Sequence, residues 1–188
     1  LTYLADNKAD VTSSTGPFNT PLTIVIADSE TNSSNTLHLD DSDSVGVVSS
    51  STLSTLIETY QTAVKARYDS ESFAAPAYVP VNIILESDYS GSLTNDLADS
   101  GRAIFTSSAS TTSTVVYGGV GSYTYQFFNN IAAGDSLAGA HNDAKSYINT
   151  VSATQSPTVD TDGDGTPDEA YDLTLISGRY LESQSIGN

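Results

Sequence analysis

Apolar residues along the chain gather in short runs of two different periods, with polar breakers between them. Pro21 opens Leu22-Thr23-Ile24-Val25-Ile26-Ala27, a run rich in β-branched residues that predicts a buried strand. Val81-Asn82-Ile83-Ile84-Leu85 predicts a second strand, and Arg102 to Ser107, just after Gly101, a third. Between the first two lies a helical repeat over residues 51–68. Leu53, Leu56, Ile57, Tyr60, Val64 and Tyr68 share its apolar face, and Ser51 or Thr52 is placed to cap it. A short helix is expected over Leu93 to Ala98. A longer one covers residues 122–132, with Phe127, Phe128 and Ile131 apolar and Gly134 ending it. Asp135 or Ser136 then caps a helix whose face is Leu137, Ala140, Ala144, Ile148 and Val151. Weaker signals suggest short strands at Leu37-His38-Leu39, at Thr114 to Tyr117 and at Tyr171 to Ile176. Residues 1–20, broken by Gly16 and Pro17, and residues 69–80, with Pro76 and Pro80, read as loops.

Strands alternating with helices predict an α/β fold with a mostly parallel central sheet flanked by helices. No internal repeat interrupts the pattern. Residues 1–151 form the expected core, and 152–188 a smaller segment packed on it or appended to it.

Length and charge narrow the function. A chain of 188 residues can bury a substantial single core. Six Lys and Arg face 23 Asp and Glu, a formal charge of −17. Such a surface repels phosphate backbones and anionic lipid, so nucleic acid is not an expected partner, whereas divalent cations and cationic proteins are. No apolar run approaches the ~20 residues of a membrane span, so no membrane insertion is expected. The acidic, Lys-poor, Ser/Thr-rich composition points to secretion or the cell surface. Leu1, with no signal-like segment after it, predicts a piece trimmed from a longer precursor.

The chain has no cysteine, which excludes disulfides, thiolate metal sites and thiol catalysis. Of the two histidines, His38 reads as an exposed strand residue and His141 as partly buried packing beside the 136–150 helix face. No Gly-x-Ser-x-Gly elbow supports a serine hydrolase. Gly118-Gly119-Val120-Gly121 lacks the Lys-Ser/Thr of a phosphate loop.

The segment Ile83 to Ser110 nevertheless resembles the nucleophile region of clan CD peptidases, the caspase and gingipain group. Tyr89-Ser90-Gly91-Ser92, Gly101-Arg102 and Thr106-Ser107-Ser108-Ala109 carry the resemblance, and Tyr123 to Ile148 extends it. The resemblance implies a caspase-like three-layer sandwich over residues 1–151. It puts the family's catalytic Cys at Asp88, its His at Ser29 and the following Gly at Glu30, the last two good to one residue. A carboxylate is a poor nucleophile toward amides, and a serine hydroxyl does not titrate near pH 7 as a general base must. Ser29 and Asp88 are therefore vestigial positions, and an inactive homologue is expected. The competing reading is an ordinary strand–turn–helix in which Asp88 accepts backbone N–H groups.

One motif carries chemistry without a family. Asp160-Thr161-Asp162-Gly163-Asp164-Gly165-Thr166-Pro167-Asp168 fits the spacing D-x-D-x-D-G-x-x-D of a calcium loop. Asp160, Asp162 and Asp164 are candidate carboxylate ligands, Thr166 a candidate carbonyl ligand, and Asp168 a ligand directly or through water. Oxygen donors at this density suit Ca²⁺ over a transition metal. The place where an EF-hand has its bidentate Glu holds Tyr171, so Glu169 or Asp172 is left to supply the last ligand. The loop resembles the Asp-rich repeats of thrombospondin type 3. Without an ion it reads as an acidic solvated turn.

Together these observations predict a secreted, calcium-binding pseudoenzyme with a structural or interaction role. Homo-oligomeric assembly into a filament or surface layer, or docking to a surface protein, would suit it. The alternatives are a hydrolase with a non-cysteine nucleophile and a calcium-dependent adhesion module.

Overall fold

The computed structural model describes residues 21–32, 35–38, 46–70, 77–114, 119–167 and 169–181; for 28–32, 38 and 169 it describes the backbone alone. The expected loop over 1–20, Leu39, Val115 to Tyr117, Gly118 and Asp168 lie outside the described residues. Thr114 is described and is not in a strand.

Three strands run parallel at the centre: β1 (Leu22–Asn32), β4 (Val81–Ser87) and β5 (Arg102–Thr106). β2 (Thr36–His38) and β3 (Val47–Ser49) extend the β1 edge antiparallel, and β6 (Thr158–Asp160) extends the β5 edge antiparallel. The order across the sheet is β3-β2-β1-β4-β5-β6. The fold is thus mixed α/β, with a parallel centre and helices on both faces.

Alternation along β4 explains the two faces. Val81, Ile83 and Leu85 point to one side, where helix α1 (Ser50–Ser70) and the short α2 (Thr94–Leu97) cover them. Leu53, Ile57, Tyr60, Val64 and Tyr68 repeat at helical spacing along α1 and are buried there. Ile84, with Ala103 and Phe105 of β5, faces the other side, under α3 (Tyr123–Ala133), α4 (Leu137–Val151) and α5 (Glu169–Ile176). Every residue of β4 and of β5 is buried, as expected of central parallel strands covered on both sides.

Several sequence expectations need correction. Leu56 is 45% exposed and Val151 48% exposed, so both sit at the rim of their helical stripes. The α1 cap is Ser49, not Ser51 or Thr52: its Oγ accepts the Thr52 N–H at 3.1 Å. Ser136, not Asp135, caps α4, its Oγ accepting the Gly139 N–H at 3.2 Å. The expected strand Tyr171 to Ile176 is helix α5. The alternation of Tyr171, Leu173 and Leu175 imitates a strand, but Tyr171 and Leu175 are exposed. Among its described side chains, α5 buries Asp172 and Ile176, four apart. Strands β3 and β6, each three residues, carried no signal because such pieces are defined by their partners.

The pair Gly101-Arg102 has a structural role. Gly101 has φ +81°, and a Cβ there would lie 2.7 Å from the Tyr78 Cβ. Arg102 is 1% exposed and donates to Gln61 Oε1 (3.1 Å), Ser54 Oγ (2.9 Å) and the Leu97 carbonyl (2.8 Å), with Asp99 at 3.6 Å. It ties α1 to the end of α2 at the start of β5. Burial pushes its guanidinium below the ordinary range, an effect that Asp99 and Glu58 oppose.

Candidate metal centre and the strand edge

Ser29 and Asp88 both lie at the C-terminal edge of the parallel strands. Ser29 of β1 is paired in register with Ser87 of β4, and Asp88 is the next residue. The register slips between Ala27 and Ser29, leaving Asp28 without a partner at the strand end. The half-buried Asp88 carboxylate accepts the Thr114 N–H at 2.6 Å. Tyr89 follows with φ +53°, its N–H bonded to the Thr112 carbonyl. Behind the turn, Ser90, Ser107, Ser108 and Thr114 form a buried hydroxyl network. Ser90 Oγ lies 3.1 Å from Ser108 Oγ, and the Ser108 and Thr114 hydroxyls both donate to the Ser87 carbonyl. Asp88 therefore works as a turn residue that holds the 107–114 segment. His38 stands on β2 opposite Glu30, with β1 between it and β4.

His141 is more deeply placed than its sequence context implies. It is 0% exposed, packed edge-on to Tyr123 and near Phe105. Its Nδ1 is 2.8 Å from the Tyr123 hydroxyl, and its Nε2 has no partner. Burial, with Lys145 adding to it, pushes the imidazole down to about 3. It packs within an aromatic cluster formed with Phe105, Tyr123 and Phe127.

The acidic loop is built by its own carboxylates. Asp160 ends β6, and its Oδ1 accepts the Gly163 N–H at 3.1 Å. Asp162 Oδ1 accepts from Asp164 N–H (3.0 Å), and Asp164 Oδ1 from Thr166 N–H (2.6 Å). Each aspartate thus turns the chain onto the amides that follow it. Gly163 has φ +81°, and a Cβ there would meet the Asp99 carbonyl carbon at 2.8 Å. The loop is pressed against the turn between α2 and β5.

Asp172, on α5, completes the arrangement. Carboxylate oxygens of Asp160, Asp162 and Asp172 converge within 4.8 Å of one another. Asp172 is fully buried, and its Oδ1 accepts both the N–H (2.7 Å) and the hydroxyl (3.0 Å) of Thr161. Asp160 is also fully buried, yet among the described residues its Oδ2 has no hydrogen-bond partner. Burial pushes the Asp160 carboxyl up to about 6; the Gly163 amide opposes this, and the Asp172 and Asp162 charges add to it. Of the residues singled out in the sequence, Asp160 and Asp162 are brought together with Asp172. Asp164 and Thr166 stand at the exposed outer turn. Asp168 and the Glu169 side chain lie outside the described residues.

The donor set fits a hard divalent cation. It is all oxygen, and a fully buried carboxylate oxygen left without a partner is the orphan such an ion would satisfy. Two ionised carboxylates about 5 Å apart repel by roughly 3 kcal/mol at an effective dielectric near 20. A cation among them reverses that sign.

No family model matches the chain, and no curated protein matches it. Among the described residues no helix is long and apolar enough to cross a membrane.

Proposed function

We propose that the chain is a calcium-binding, catalytically inert domain of caspase-like architecture, with a structural or interaction role outside the cell. The observation that carries the calcium part is the orphaned Oδ2 of Asp160, buried among the carboxylates of Asp162 and Asp172. Ca²⁺ would be held by Asp160, Asp162 and Asp172, and its role is to neutralise a charge cluster of which the fold buries Asp160 and Asp172 and leaves Asp162 exposed.

The caspase-like part is supported by the position of Ser29 and Asp88 at the ends of adjacent parallel strands, with helices on both faces of the sheet. Inertness follows from the side chains there. The chain has no thiol, Asp88 is engaged with the Thr114 amide, and a serine stands where an imidazole would be needed. Secretion suits the acidic, Lys-poor composition of the chain.

The test is direct. Titration calorimetry with CaCl₂ on the EDTA-stripped chain is expected to give one saturable site, and thermal unfolding is expected to shift upward in millimolar Ca²⁺ against EDTA. No binding heat together with superimposable melting curves would remove the calcium reading.

A further inference from the structure

The fold places most of its cations inside and leaves many of its anions outside. Among the described side chains, Arg102 and Arg179 are buried, Arg67 and Lys145 are half-buried, and Lys65 alone is an exposed cation. Against it stand the exposed acids Glu58, Asp69, Asp99, Asp143, Asp162 and Asp164. The whole chain carries a formal −17, so its surface holds an excess of like charge. That charge is crowded in places. Glu58 and Asp99 line one cleft of about 230 Å³, and Gly163, between Asp162 and Asp164, packs directly on the Asp99 backbone. Arg102, 3.6 Å from the Asp99 carboxylate, offsets only part of this.

We propose that the folded state depends on a concentrated electrolyte: mobile cations screen the exposed acids, and dilution of the salt by itself destabilises the fold. This does not rest on the calcium reading, and it assigns no ion to a particular site. A chain of this length has a radius of gyration of about 16 Å folded and about 46 Å unfolded, so folding gathers the charge into a much smaller volume. Screening acts over about 10 Å at 0.1 M salt and about 3 Å at 1 M. Over the longer range, acids on neighbouring elements still repel; over the shorter one they do not. Self-repulsion of this kind opposes the compact state while it keeps the protein soluble. The apolar cores on the two faces of the sheet are unaffected by it, and they hold the fold once the surface is screened. The extracellular setting thereby gains a condition, a medium of high ionic strength.

Thermal unfolding of the full chain in EDTA, from about 0.1 M to about 1 M KCl, is the test. The expected result is a Tm that rises by at least about 10 °C across that range. EDTA removes divalent ions, so calcium at the acidic loop does not contribute to the rise. The double variant Asp143→Lys/Asn149→Lys changes two exposed positions of α4 and makes the surface less negative. It is expected to melt above the parent chain at the low salt concentration and to respond less to added KCl. The milder Asp69→Asn, at an exposed position of α1, is expected to shift the same way by less, and it stands in if the double variant does not fold. A parent Tm that does not rise with KCl overturns the proposal whatever the variants do. Equal salt responses of parent and variant overturn it too, since they report exclusion of salt from the protein surface and not screening of its charge.

Discussion

Thr161 and Asp172 are joined twice: the Asp172 carboxylate accepts the backbone N–H of Thr161 at 2.7 Å and its hydroxyl at 3.0 Å. Eleven positions apart in the chain, they bring the first turn of the acidic loop and helix α5 to the same point. The loop motif proper ends at Asp168, so this contact adds a carboxylate that the motif does not contain. It also buries the first residues of the loop, Asp160 and Thr161, while Asp162, Asp164 and Thr166 stay exposed.

Asp160 should behave oppositely with and without calcium. Its folded pKa is raised to about 6 against 3.8, so the stability it contributes is fully present below 3.8 and is lost as pH rises through about 6. Above that the buried charge is a cost. In EDTA at pH 7, Asp160→Asn is therefore expected to be more stable than the parent chain by roughly 1–3 kcal/mol in urea unfolding. In saturating Ca²⁺ the order should reverse, because the variant loses a ligand. A variant less stable in both conditions would contradict the charge-cluster account.

Gly163 is expected to tolerate no side chain. Alanine would need φ +81° and would place its Cβ 2.8 Å from the Asp99 carbonyl carbon. Gly163→Ala should cost roughly 2–4 kcal/mol and weaken calcium binding in calorimetry, since the Asp160 clamp depends on the Gly163 amide.

Removing Arg102 leaves acceptors stranded. Arg102→Ala would leave Gln61 Oε1 and the Leu97 carbonyl without this donor and open a buried volume. Chemical denaturation is expected to show a loss of about 3–5 kcal/mol. Arg102→Lys should recover only part of it, because one ammonium cannot reach the fork of partners.

The buried imidazole sets an acid limit. The folded pKa of His141 is about 3 against 6.5, so its contribution is fully present above 6.5 and is lost as pH falls toward about 3. In that window stability should fall by up to about 1.4 kcal/mol per pH unit from this group. The slope of stability against pH in saturating Ca²⁺ should be shallower for His141→Gln than for the parent chain. Equal slopes would show that another group carries the acid sensitivity.

Asp88 should matter to stability and not to turnover. Peptide reporters cleaved after Arg, Lys or Asp are expected to show no hydrolysis by the parent chain. Asp88→Ala removes the acceptor of the Thr114 amide and should cost about 1–2 kcal/mol in thermal or urea unfolding. Hydrolysis that disappears in Asp88→Ala while the fold is retained would instead point to an active hydrolase.

The elements that were legible in the sequence are those whose own pattern decides them. The α1 stripe from Leu53 to Tyr68 needs only helical geometry to be buried on one side. The run Val81 to Leu85 is apolar on both faces, and that alone requires cover on both. What stayed illegible was set by partners distant in the chain. β6 is a strand because Val159 lies opposite Phe105, and α5 is a helix because Asp172 and Ile176 both face inward. The full burial of His141 is not legible in the sequence, because the aromatic cluster around it comes from β5 and α3.

The carboxylate spacing at 160–168 and the absence of any cysteine were determined by the sequence alone, because each is a matter of which residues are present and how far apart they lie. Which acid finishes the cluster was left open between Glu169 and Asp172. Only the tertiary structure brought Asp172 in, through a helix whose docking turns its side chain toward Thr161. It also decided that Asp160 is buried with one oxygen unsatisfied. Desolvation depends on what packs around a group, and no local pattern of residues records that.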